Sequence, residues 1–257
     1  MILVLGGTTE GHKLAKAIQD KGWKVLLTTV SSYGGFLAHE KGVTEVRSKA
    51  LTRLDFEQLI DQRQIKAVVD ATHPYATQIS EMVIESCNEL NLPYGRYERP
   101  GYDLPDHPLL IRVKSYEEAV TALKPLGANI FLTIGSRRLA LFCAAPGMQK
   151  KKIVARVLPE ADVIKQCQEL GLKPNQLVAM QGPFSREANL WMFKHFQTQV
   201  VVTKESGQVG GFLSKWEACL ELGIPLIVIE RPRLTYPKLL IEQEDVLNFI
   251  KEVENNE

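Results

Sequence analysis

The residues best placed for chemistry fall into three sets. The first opens the chain: Ile2-Leu3-Val4-Leu5-Gly6-Gly7-Thr8-Thr9-Glu10-Gly11. Four apolar residues read as a short buried strand and Gly6-Gly7 as a tight turn. From His12 the pattern is helical, with Leu14, Ala15, Ala17 and Ile18 at helix-face spacing. A strand, a glycine turn and a helix N-terminus present free N–H groups and a positive dipole end to an anion such as phosphate. The spacing Gly6-x-Thr8-x-x-Gly11 is a dinucleotide fingerprint with Thr8 in place of its second glycine, adding a hydroxyl that can donate to a phosphate oxygen. Lys13 stands two places after Gly11 with no Ser or Thr behind it, so this is not a P-loop. An ordinary turn of a parallel sheet is the alternative reading of the glycines.

The second set follows the apolar stretch 67–69: Asp70-Ala71-Thr72-His73-Pro74-Tyr75-Ala76. Loops at the carboxyl ends of parallel strands are where open α/β sheets bind ligands. Histidine is the side chain whose ordinary pKa allows proton transfer near neutral pH, so His73 is the candidate proton donor, with Tyr75 the second. A histidine merely held in its loop by Asp70 or a backbone carbonyl is the competing role. Asp70 and Thr72 join Gly6, Gly7, Thr8 and Glu10 as expected cofactor contacts. The third set is basic: Gly135-Ser136-Arg137-Arg138, then Arg156, then Thr203-Lys204-Glu205-Ser206-Gly207, then Lys215. Cationic groups just after strands suit a substrate carboxylate or phosphate. Together they put Arg137, Arg138, Arg156, Lys204 and Lys215 at one sheet edge, with Ser206 and Gly207 adding a hydroxyl and a backbone N–H.

The elements that must hold these sets alternate strand and helix. Val25 to Val30 reads as a second strand, closed by a polar loop Ser31-Ser32-Tyr33-Gly34-Gly35. In a Rossmann unit that strand end faces the adenosine ribose. Ser31 and Ser32 stand there and no carboxylate does, which favours NADPH over NADH. A third strand is expected at 43–46, helices at 55–62 and 79–90, and a further strand from Pro93 to Glu98. The order then repeats. Residues 87–100, CNELNLPYGRYERP, and 219–232, CLELGIPLIVIERP, agree at seven of fourteen positions at a constant offset of 132. Leu109-Leu110-Ile111 before a helix at 116–123 matches Leu239-Leu240-Ile241 before one at 245–253, and 130–136 answers 2–7. Three landmarks in order point to duplication. The expectation is α/β: two Rossmann-like parallel-sheet domains related by internal duplication, with a ligand cleft between them. The dinucleotide-binding domain would span 1–127 and the substrate-binding domain 128–257.

Composition narrows the partners. A net charge of +1 creates no global field for nucleic acid or membrane, so an anionic ligand must be held by locally placed Lys and Arg. Cys87, Cys143, Cys167 and Cys219 form no C-x-x-C pair and have no histidine at zinc spacing. No apolar run approaches the ~20 residues of a membrane helix, and the start lacks the form of a signal peptide. A cytoplasmic protein, monomeric or a small homo-oligomer, is expected.

GGTTEG at the start, DATHPYA at 70–76, ERP closing the first unit, GPFS at 182–185 and TKESG…GGF…K at 203–215 together resemble the precorrin-6A reductases. That family includes the cobalt-precorrin-6A reductases of cobalamin (vitamin B12) biosynthesis. The resemblance implies an NADPH- or NADH-dependent oxidoreductase acting on a CH–CH group, which converts precorrin-6A or its cobalt complex to the 6B form. It implies a tetrapyrrole substrate, no flavin and no protein-bound metal. A transferase using a nucleotide sugar and a non-catalytic dinucleotide sensor are the alternatives that a two-unit fold of this kind leaves open.

Overall fold

The computed structural model describes residues 1–98, 101, 104–205 and 211–255. Two six-stranded sheets, parallel throughout, divide the chain into two compact units.

The first sheet contains β1 (Ile2–Leu5), β2 (Val25–Thr29), β3 (Val46–Ser48), β4 (Ala67–Asp70), β5 (Tyr94–Tyr97) and β12 (Leu239–Leu240), in the order β12-β5-β4-β1-β2-β3. Its central strands β1, β2, β4 and β5 are buried at every position, and mostly apolar, because both faces are covered. Ile2, Val4, Val25, Leu27, Ala67 and Val69 pack with Leu14 and Ile18 of α1 (Thr9–Asp20) and with Leu247 and Ile250 of α10 (Gln243–Asn255). Leu3, Leu5, Leu26 and Val68 turn the other way, onto Phe56 and Leu59 of α3 (Arg53–Arg63) and Val83 and Cys87 of α4 (Thr77–Glu89).

The second sheet contains β6 (Leu110–Val113), β7 (Asn129–Leu132), β8 (Lys152–Val157), β9 (Leu177–Ala179), β10 (Val200–Lys204) and β11 (Leu226–Ile229), in the order β6-β11-β10-β7-β8-β9. Phe131, Val154, Val201 and Val228 bury one face against α8 (Arg186–His195) and α9 (Phe212–Leu222), through Met192, Phe193, Phe212 and Trp216.

The two strand orders match position by position, as duplication requires. The boundary differs from the expected 1–127 and 128–257. The units are Met1–Pro100 with Pro232–Glu257, and Gly101–Arg231. Each repeat gives its sixth strand to the other repeat's sheet: β6 pairs with β11 and β12 with β5. A strand two to four residues long shows the same apolar pattern whichever edge it joins, so its sequence announces a strand and not its partner. Helix α10 follows β12 onto the first unit. The loop expected at Ser31–Gly35 is instead the start of α2 (Ser32–Glu40). Its glycines serve close packing, since a Cβ at Gly35 would run into Ser48 Oγ of β3.

In each sheet the strand order reverses at the centre: between β1 and β4 in one, between β7 and β10 in the other. Open α/β sheets bind ligands outside the carboxyl ends at such points. No helix of the described residues is long and apolar enough to cross a membrane.

Candidate functional site

At the reversal point of the first unit, Gly7 is exposed with φ +105°, a backbone angle that strains any L side chain. A Cβ there would meet no atom within 4 Å, so the turn leaves open space at the N-terminus of α1. That space suits a pyrophosphate approached by backbone. Gly6 joins the turn to β2 by donating its N–H to Thr28 O at 2.9 Å. Thr8 is the N-cap: its hydroxyl accepts from Gly11 N at 2.9 Å and donates to Ala71 O at 3.3 Å. The hydroxyl proton expected to serve a phosphate is thus given to the chain itself, and it ties this turn to the loop after β4. Glu10 lies half-buried in the first turn of α1. Ser31 caps α2 by accepting from Gly34 N at 3.1 Å, and Ser32 is exposed beside it.

Asp70 ends β4 and is wholly buried. It accepts from Thr72 N at 3.0 Å, Thr72 Oγ1 at 2.7 Å, Ser80 Oγ at 2.6 Å, Tyr94 OH at 2.8 Å and Arg96 Nη1 at 2.9 Å. Burial alone would favour the neutral acid, but Arg96 and these hydrogen bonds hold the carboxyl below its ordinary range. Arg96, itself buried on β5, also donates to Glu98 at 2.9 Å and to Thr72 Oγ1 and O at 2.9 and 3.0 Å, and lies over the Tyr236 ring. Asp70 and Thr72, expected as cofactor contacts, are engaged within the protein by this network. Asp70 has no surface to offer a ligand, and the Thr72 hydroxyl is engaged by Asp70 and Arg96. Their work is to fix the backbone of the loop that carries His73.

His73 and Tyr75 are half-buried on that loop, ring centroids 5.4 Å apart. His73 Nδ1 accepts from Tyr75 N at 3.3 Å, which leaves the neutral ring's proton on Nε2. His12, beside the glycine turn, is buried, and burial together with Lys41 lowers its pKa to about 4. It is therefore the neutral imidazole at neutral pH and not an acid.

In the second unit Arg156 leaves β8 and is buried. Its Nη1 donates to Asn189 Oδ1 at 2.8 Å, and its guanidinium lies 4.1 Å from the Phe184 ring centroid. It forms no ion pair among the described residues, and burial lowers its pKa to about 10. Lys215 of α9 is also buried. Burial first, then the charges of Arg156 and Lys204, lower it to about 7. Lys204, at the end of β10, is lowered to about 8 by burial and by Arg137, which follows β7. Arg137 and Lys204 thus act on each other across the reversal point. Four of the five expected cations fall within electrostatic reach in a chain Arg137–Lys204–Lys215–Arg156. Arg138 is exposed and lies over the Tyr116 ring, 5.5 Å from its centroid. Ser206 and Gly207 lie outside the described residues. Asn189 and Phe184 were not singled out as site residues by their sequence. An asparagine in mid-helix, a poor helix former, was the one available sign.

Two six-stranded parallel sheets with the same strand order, a glycine turn at one reversal point and a group of cations near the other, define a class: a duplicated Rossmann-like α/β protein. The model of one family, precorrin-6x reductase CbiJ/CobK, matches residues 1–251. The cobalt-precorrin-6A reductase of Priestia megaterium is 34% identical over 251 residues, 97% of this chain and 98% of that one. The cobalt-precorrin-6A reductase of Methanocaldococcus jannaschii is 35% identical over 251 residues, 97% of each chain. A solved structure described as CobK precorrin-6A reductase shares the fold, with a TM-score of 0.81 at 24% identity over 98% of this chain and 96% of that chain. The chain belongs to the precorrin-6x reductase family and is an oxidoreductase of cobalamin biosynthesis.

Proposed function

We propose that the chain reduces cobalt-precorrin-6A to its 6B form with NADPH, in the cytoplasm. The observation that carries the reading is the division of labour between the reversal points. An open glycine turn with a fixed polar loop stands in the first unit, and buried cations with depressed pKa values stand in the second. The backbone of Gly6, Gly7 and Thr8 holds the pyrophosphate, with Glu10 beside it and Ser31 and Ser32 toward the adenosine ribose. No carboxylate stands at that end of β2 to repel a 2′-phosphate, which supports NADPH over NADH. When bound, the nicotinamide nucleotide supplies the hydride. His73 in its imidazolium form is the donor of the proton for the second reducible position, with Tyr75 the second candidate; the neutral ring, whose Nδ1 accepts from Tyr75 N, is the form that must be reprotonated before the next turnover. Arg137, Arg138, Arg156, Lys204 and Lys215, with Ser206 and Gly207, grip substrate carboxylates. The choice of the cobalt complex rests on the names of the two relatives above.

The test is NADPH oxidation followed with cobalt-precorrin-6A and, separately, with metal-free precorrin-6A. Turnover with the cobalt complex at the higher kcat/KM supports the reading. Oxidation of neither, by protein that binds NADPH, would sink it.

A further inference from the structure

A buried arginine ordinarily has a carboxylate beside it, because a buried charge without compensation is costly. Beside Arg156 stands an amide. Asn189 is 1% exposed, and its Oδ1 accepts from Arg156 Nη1 at 2.8 Å. A guanidinium only donates, so the amide oxygen must face Arg156 and the NH2 group must face away. There it donates to Ser185 O at 2.8 Å and Phe184 O at 3.4 Å. Asn189 therefore fastens two things at once: the guanidinium, and the loop whose Phe184 ring covers it at 4.1 Å. An aspartate would fill the same space and would cancel the charge. The amide gives orientation and leaves the charge standing, next to Lys215 and, through it, Lys204.

We infer that Asn189 is the positioning residue of this cationic cluster: it sets Arg156 against Phe184 without neutralising it, so that the neutralising carboxylate comes from the substrate. The inference rests on the reading of the second unit as the carboxylate-binding half, and adds to it the residue that keeps the half charged. Recognition of a carboxylate by a guanidinium is worth most when the guanidinium is pre-aimed and carries no internal partner.

The experiment uses the full-length protein with cobalt-precorrin-6A and NADPH, and compares Asn189→Asp, Asn189→Ser and Lys204→Ala. Asn189→Asp gives Arg156 an internal ion pair but sets a carboxylate oxygen against Ser185 O and Phe184 O, so its melting temperature should fall and its KM is read below that temperature, on folded protein. Its KM for the macrocycle should rise about 10- to 150-fold, the worth of a charged hydrogen bond. The loss should fall on KM rather than kcat, and added salt should weaken substrate binding less than in the wild type. Asn189→Ser shortens the reach to Arg156 but adds no charge. It should raise KM while keeping the wild-type dependence on salt, a difference that a merely structural role would not produce. Should Asn189→Asp fail to fold, Asn189→Ser decides alone, and an unchanged KM overturns the inference. A raised KM in Lys204→Ala with wild-type KM in both Asn189 variants overturns the inference and leaves the carboxylate-binding reading standing. Wild-type KM in all three variants overturns both.

Discussion

Arg96 and Arg156 are both buried, one in each unit, and their surroundings are opposite. Arg96 meets Asp70, Glu98 and both oxygens of Thr72. Arg156 meets an amide, a thioether and aromatic rings. The strand ends beside them differ in the same sense. β4 ends on Asp70, and β10, at the matching place in the second sheet, ends on Lys204. Duplication gave two copies of one frame. In the first copy Asp70 and Arg96 close into one network, whereas in the second Arg156 has an amide beside it and no ion pair among the described residues. A buried charge that the fold neutralises is part of the scaffold, whereas one left standing is stabilised only when a ligand of opposite charge arrives.

The two units should accordingly fail in different kinetic terms. The largest effect is expected in the first. His73→Ala should lower kcat by ~10²–10⁴, the usual worth of general acid catalysis, with a smaller change in KM. A loss under about threefold would demote His73 to a positional role and turn attention to Tyr75 or water. In the second unit Lys204→Ala should raise KM for the macrocycle about 10- to 150-fold and leave the NADPH dissociation constant nearly alone. Loss of NADPH binding with macrocycle binding spared would reverse the assignment of the units.

The smallest effect is graded with pH. Lys215 faces Arg156, Lys204 and Cys219, and Lys204 faces Arg137, and their folded-state pKa values of about 7 and about 8 lie below the ordinary lysine value. As pH rises through 7 and then 8 the ligand-free cluster loses charge. Macrocycle affinity should then fall, by up to about tenfold per pH unit for each proton taken up on binding. Stability of the ligand-free protein should move the other way. Above pH 7 the unfolded chain binds more protons at these two lysines than the folded chain, so their contribution to stability rises toward the ordinary lysine value. Denaturant titrations and KM measured over the same pH series would reveal the opposed slopes. Parallel slopes would remove these lysines from the account.

Much of this frame was legible in the sequence. The constant offset between 87–100 and 219–232 announced the duplication, and the glycine turn and the basic strand ends stood out by type and spacing. What could not be read depends on partners distant along the chain. Asp70 looked like a ligand contact because Arg96, which engages it, lies 26 residues on. The short strands at 110–113 and 239–240 looked native to their own repeats because register and edge are not written in strands of two to four residues. Gly34 and Gly35 read as a loop, since glycine disfavours helix, until the closeness of Thr29 to the first and of β3 to the second explained them. Asn189 gave little sign because its role is set by Arg156, 33 positions away.

The central claim is that one buried arginine is structural and the other serves the ligand. Methionine at each position removes the charge and keeps much of the volume, so unfolding free energies and KM for Arg96→Met and Arg156→Met test it most directly. Arg96→Met should lose about 3–5 kcal/mol, since it leaves Asp70 buried and unpaired. Arg156→Met should be within about 1 kcal/mol of the wild type or more stable, since it removes a charge that the fold does not neutralise, and its KM for the macrocycle should rise at least about tenfold. An Arg156→Met protein destabilised as much as Arg96→Met, with wild-type KM, would contradict the account.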